Sequence, residues 1–103
     1  MKLYNIDYIP GKEIAALGLV SGTTVQSVHL GMDFIAGLKN LVGGEIVDYA
    51  HMISDARRIA LDRMIYEAET LGADAVINVR FGTSSVMQSA AEVVAYGTAV
   101  KIL

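Results

Sequence analysis

The C-terminal stretch AEVVAYGTAVKIL, residues 91–103, reads as a strand with two unequal sides. Alternation puts Glu92, Val94, Tyr96, Thr98, Val100 and Ile102 on one side and Ala91, Val93, Ala95, Gly97 and Ala99 on the other. A side built from alanine, valine and glycine invites a helix or a neighbouring subunit to pack closely against it, and Gly97 and Ala95 are where a backbone or a helix is expected to approach. This strand needs a second layer, and the rest of the chain offers one.

Residues 49–71 have a clear helical period. Met52/Ile53, Ala56, Ile59/Ala60, Met64, Ala68 and Leu71 form a broad apolar face, with Asp55, Arg58, Asp62 and Glu69 opposite. Arg58 and Asp62, and Arg63 and Glu67, are four apart and can pair, at only about 0.2–0.5 kcal/mol each. Gly72 closes the helix in the left-handed C′ position. Residues 2–8 read as a short first strand, followed by a Pro10–Gly11 turn, and Glu13 to Ser27 as a long second one. The first half of that second strand is apolar on both sides, which suits a buried strand or a subunit contact. Gly18 and Gly22 within it mark a bulge or a close backbone approach. DAVINVRF alternates, with Ala75, Ile77, Val79 and Phe81 on one side and Val76, Asn78 and Arg80 on the other. GTSSVMQSAA between the last two strands is a loop or the flared end of a long hairpin.

GLKNLVGGE, residues 37–45, follows a second, shorter helical pattern over 32–42, in which Phe34/Ile35, Leu38 and Leu41/Val42 make one stripe. Gly43 is then a helix end, followed by Gly44 and Glu45. Gly37 falls inside the helix, where glycine costs about 1 kcal/mol against alanine, so something is expected to pack closely on it. A phosphate loop is disfavoured. Its glycines precede a helix and lead into lysine and serine or threonine, whereas these follow a helix and lead into a carboxylate. The expected architecture is a single domain over residues 1–103. It is α+β and two-layered, with two helices on one face of a mostly antiparallel sheet.

Composition adds a constraint on assembly. Of the 103 residues 53% are hydrophobic and 18% charged, with mean hydropathy +0.46. A domain this small buries only about 60–65% of its unfolded surface, so protomers are expected to bury apolar surface against one another. A membrane span is not supported. The longest uncharged run, Ile14 to Met32, is broken by serines, threonines, a glutamine, a histidine and three glycines, whereas a spanning helix needs about 20 mostly apolar residues. MKLYNIDYIPGKE lacks the apolar core of a signal peptide. A cytoplasmic homo-oligomer is the resulting expectation. The net charge of −3 and the scattered arginines argue against nucleic acid as partner. The absence of cysteine removes disulfides, thiolate metal sites and cysteine nucleophiles together.

Four stretches in order, SGTTVQS, GLKNLVGGE, LGADAVINVRF and EVVAYGTAV, resemble the YbjQ-like family of small bacterial and archaeal proteins. The resemblance runs from about residue 8 to residue 103, and GLKNLVGGE together with YGTAV carries most of its specificity. It implies a dodecin-subunit-like α/β domain, assembly as a ring-shaped homopentamer, and a heavy-metal-binding label without an established function. The family motif defines no ligand residues.

Three readings of function are open on the sequence. The first is a ring-forming, non-catalytic binding protein for a divalent or heavy metal ion. Glu45, Glu92 and His29 are its candidate ligands, and Asp33 and Asp74 are further acids near turns and strand ends. Without thiolates such a site suits zinc, manganese or calcium better than mercury or cadmium. Ordinary ion pairing is the competing account of each carboxylate, with Arg80 or Lys39 as partners for Glu92. The methionines Met52 and Met64 lie on the apolar side of a helix and read as core. The second reading is an oligomeric carrier of a small apolar ligand in pockets between subunits. The third is an enzyme using His29 with Tyr96 or Glu92, which is disfavoured because no nucleophile elbow and no dinucleotide fingerprint accompany it.

Overall fold

The two sides of the C-terminal strand meet different surroundings. The computed structural model describes residues 1–27, 47–87 and 89–103. Within them the order is β1 (Lys2–Leu3), β2 (Ile14–Ser27), α1 (Val47–Thr70), β3 (Ala75–Met87) and β4 (Ala90–Ile102). The strands form one mixed sheet in the order β1-β3-β4-β2. β1 runs parallel to β3, and β4 pairs antiparallel with both β2 and β3. The expected α+β architecture and mostly antiparallel sheet are present, with one helix among the described residues. The helix expected over 32–42 lies outside them.

α1 packs on the small side of β4. Ala56, Ala60, Met64 and Ala68 recur every four residues along the helix and are completely buried against Val20, Val76, Val93, Ala95 and Ala99. Alanine facing alanine lets the two backbones approach closely, and Met64 fills the remaining gap, as its flexible side chain suits. The closest approach is at Gly22 in β2, where a β-carbon would stand 2.2 Å from the Ala60 carbonyl oxygen and 2.4 Å from the Met64 nitrogen. Only glycine fits under the helix backbone there. The C-terminus of α1 closes as a Schellman motif, with Ala73 N–H donating to Ala68 O at 3.1 Å and Gly72 N–H to Glu69 O at 3.0 Å. Gly72 has φ +76, the left-handed conformation expected of it.

Gly97 is crowded as expected, but not by the helix. A β-carbon there would meet Val76 Cγ1 at 2.7 Å and Ile77 O at 2.8 Å, both from the neighbouring strand. The cause is a bulge in β3. Ile77 stands opposite Thr98 and Arg80 opposite Tyr96, so Asn78 and Val79 together oppose Gly97. Asn78 takes the left-handed conformation, φ 54. The extra residue breaks the simple alternation read from DAVINVRF. Val79 joins Val76 at the helix-side core, while Ala75 and Ile77 pack on the opposite side with Ile9 and Val100.

Among the described residues, the N-terminal segment covers one end of that opposite side. Tyr4 N–H donates to Val76 O, Asn78 N–H to Ile6 O and Val79 N–H to Tyr4 O, all at 2.9–3.0 Å. A turn through Pro10 and Gly11, closed by Lys12 N–H to Ile9 O at 3.1 Å, then seats buried Ile9 against Ala75, Ile77 and Val100. Beyond this plug the β3–β4 hairpin continues to Met87 and Ala90, so GTSSVMQSAA is the extension of a long hairpin rather than a free loop. β2 is an edge strand, with Leu19 74% exposed; it is not the buried strand that its apolar first half allowed. No helix among the described residues is long and apolar enough to cross a membrane.

Candidate functional site

The strand register places Glu92, Tyr96 and Arg80 on the side of the sheet opposite α1, which no helix covers among the described residues. Pairing across β2, β4 and β3 gives three adjacent rows there: Ser21–Tyr96–Arg80, Thr23–Val94–Gly82 and Val25–Glu92–Ser84. Small and hydroxylated residues dominate them. Against that background stand one carboxylate, one phenol and one guanidinium, with Val25 57% and Tyr96 40% exposed.

Glu92 is half-buried in the outermost of these rows, between Val25 and Ser84. The expected pairing with Arg80 is not made. Arg80 lies opposite Tyr96, four residues along β4, which is about 13 Å at strand spacing. Its Nη1 donates instead to the carbonyls of Asn5 at 3.0 Å and Val79 at 3.3 Å. The guanidinium therefore clamps the N-terminal segment to the β3 bulge. Among the described residues the ion pairs are Lys101–Asp74 at 3.3 Å and Arg58–Asp55 at 4.0 Å, and neither involves Glu92. Lys39, the other expected partner, lies outside the described residues, as do His29, Glu45, Asp33, Gly37, Gly43 and Gly44.

Asp74 is a structural residue. Its Oδ2 accepts from Ile102 N–H at 2.7 Å, and Lys101 Nζ donates to its Oδ1 and to Gly72 O, both at 3.3 Å. These bonds tie the end of α1 to the last residues of β4. The Ile102 amide and the Lys101 ammonium hold its carboxyl below the ordinary aspartate value. The i, i+4 pairs expected on α1 are replaced by other contacts. Arg58 turns back to Asp55, and Arg63 leaves the helix to donate to Thr23 O at 2.7 Å on the edge of β2. Met52 and Met64 are buried in the core, as their place on the helix implied. No three histidine or acidic residues gather closely enough to hold an ion among the described residues.

The alternation places Glu92 on the side of β4 opposite α1, and among the described residues no helix covers that side. The signal was present in the alternation. A strand with alanines on one side and polar and aromatic residues on the other packs one helix, on the alanines.

Comparison with known proteins agrees with this reading of the chain. Residues 1–103 match the model of a family described as "Putative heavy-metal-binding". A UPF0145 protein of Clostridium novyi (strain NT) is 59% identical over 103 residues, covering all of both chains. UPF0145 proteins of Helicobacter hepaticus and Methanosarcina acetivorans are 56% and 53% identical over all of this chain and 99% and 98% of theirs. The crystal structure of a protein of unknown function of the DUF74 family from Pediococcus pentosaceus shares the fold, with TM-score 0.69 and 15% identity over 100% of this chain and 98% of that one. With a family match over its whole length and relatives above 50% identity in bacteria and an archaeon, the chain belongs to the YbjQ-like family, the UPF0145 proteins.

Proposed function

We propose that this protein is a non-catalytic binding module that works as a closed ring of identical copies, five by the family resemblance, and binds a divalent metal ion through carboxylates repeated around the ring. The observation that carries the reading is Glu92. It is half-buried on an uncovered sheet side, and no cation pairs with it among the described residues. A carboxylate in such surroundings is costly unless something compensates its charge. One carboxylate does not hold an ion, but a rotation axis multiplies it, and symmetry brings equivalent oxygens together. Oxygen ligands without thiolates select zinc, manganese or calcium.

The test uses untagged protein. Elemental analysis is expected to find metal in a fixed ratio to the oligomer. Added zinc or manganese is expected to raise the melting temperature of the wild type, and Glu92→Gln, which keeps the shape and removes the charge, is expected to lose that increment. An equal increment in both proteins would remove Glu92 from the site, and no increment in either would end the metal reading. A second reading has its own observation. Val25, Tyr96 and Leu19 expose large apolar surface on the same side, as a carrier of a small apolar molecule between subunits requires. Native mass spectrometry separates the two by the mass of what co-purifies.

A further inference from the structure

Among the described residues, the sheet has two unpaired edges of matching length at the same level. β2 lies at one end of the strand order, and no strand among the described residues pairs with its outer edge. At the other end, β1 and the segment after it cover the outer edge of β3 only as far as Val79. From Arg80 to Met87 that edge is also without a strand partner among the described residues. Through β4, these eight residues stand level with Ser21 to Ser27 of β2.

Neither edge is protected by charge or proline. Exposed edges are normally blunted by lysine, proline, bulges or short length. SGTTVQS and FGTSSVM contain no charged residue and no proline. The β2 bulge lies elsewhere, between Ala16 and Gly18, and the irregularity of β3 between Ser85 and Met87 leaves Phe81 to Ser85 in unbroken register with β4. One donor reaches the β2 edge, since Arg63 Nη1 bonds Thr23 O. A carbonyl has two lone pairs, so this bond leaves room for a second, and it does nothing for the amides.

We infer that the partner of each edge is the opposite edge of a second copy of this chain, with Ser21–Ser27 of one copy pairing in parallel with Phe81–Met87 of the next. This rests on the oligomer reading above and gives it a surface. β2 and β3 both run antiparallel to β4, so they run the same way, and a head-to-tail contact between them is a parallel pair. A contact between two different surfaces repeats from copy to copy and closes into a ring when the rotation between copies divides a full turn. Closure removes both edges at once, whereas a two-fold pairing of β2 with β2 would leave both β3 edges open. Every copy then carries α1 on one side of a continuous sheet and the Glu92 row on the other.

Engineered disulfides test this directly, because the chain has no cysteine of its own. Val25→Cys with Ser84→Cys places two thiols in one row, on strands separated by β4. Within one copy they are two strand spacings apart, about 9.6 Å, too far to bridge. Between copies they are on adjacent strands, within the 4.4–6.8 Å that a disulfide spans. Thr23→Cys with Ser84→Cys samples the register shifted by two residues on the same side. After mild oxidation, non-reducing electrophoresis of one double variant is expected to show a ladder of covalent multimers, and each single variant is expected to stay as single chains. A covalent dimer from Val25→Cys alone would mean that β2 pairs with β2 and would overturn the inference. Light scattering on the same samples separates it from the reading beneath it. An oligomer without a ladder in either double variant ends the edge pairing and leaves the oligomer standing. A single chain of 11.0 kDa ends both.

Discussion

The two sides of this sheet are made by the same strands and obey opposite rules. On the helix side, Gly22 admits nothing larger than hydrogen, and Ala56, Ala60 and Ala68 are completely buried. On the other side, Leu19, Val25 and Tyr96 stand in solvent within a few residues of those contacts along the same strands. The difference teaches that side-chain size decides where α1 docks. α1 settles where alanine and glycine let it come close, and the opposite side is covered at one end by Ile9 over Ala75, Ile77 and Val100.

The strongest challenge to this comparison is Gly22→Val. Its β-carbon meets main-chain atoms of α1 at 2.2 and 2.4 Å, and a helix backbone cannot rotate away as a side chain can. A loss of about 3 kcal/mol, the upper end for overpacking, is expected in chemical denaturation. A loss under about 1 kcal/mol would show that α1 can lift from the sheet cheaply and that the two sides are less distinct than they look.

A middle-sized effect tests what holds α1 in register at its end. The folded protein holds the Asp74 carboxyl below its ordinary value of 3.8, so the carboxylate's bonds favour folding above that pH. The contribution is lost as pH falls through the depressed value, when the native carboxylate takes up its proton. Asp74→Asn is therefore expected to be less stable than wild type at pH 6, with the gap closing below about pH 4. Urea midpoints at the two pH values measure it. A gap that stays constant would place the role of Asp74 in shape rather than charge.

The smallest expected effect is on the other side. Leu19→Ser, at a side chain 74% exposed, should change stability by no more than about 0.5 kcal/mol. A loss several times larger would show that the edge strand is covered at this level too, which would extend the proposed contact beyond Ser21.

Residue pattern alone determined α1, its glycine end, the length of β2, the unequal sides of β4 and the membership of Met52 and Met64 in the core. Helical and strand periodicities are local, and a stretch of ten or more residues displays them whatever surrounds it. The close approach at Gly22 and the family resemblance were legible for related reasons, the first as a glycine inside a strand and the second as motifs in order.

Tertiary structure alone decided the rest. Asn78 and Val79 both fit a regular strand, and only the register against β4 showed a bulge that moves Val79 to the helix side. Arg80 and Glu92 have opposite charge and neighbouring strands, yet register sets them four residues apart and gives the guanidinium to two carbonyls. Asp74 read as one free acid among several until the last strand brought Ile102 and Lys101 to it. Each of these depends on which residue of a distant segment arrives opposite. Strand pairing offers several registers of similar local quality, and the choice among them is made by packing of the whole sheet against α1.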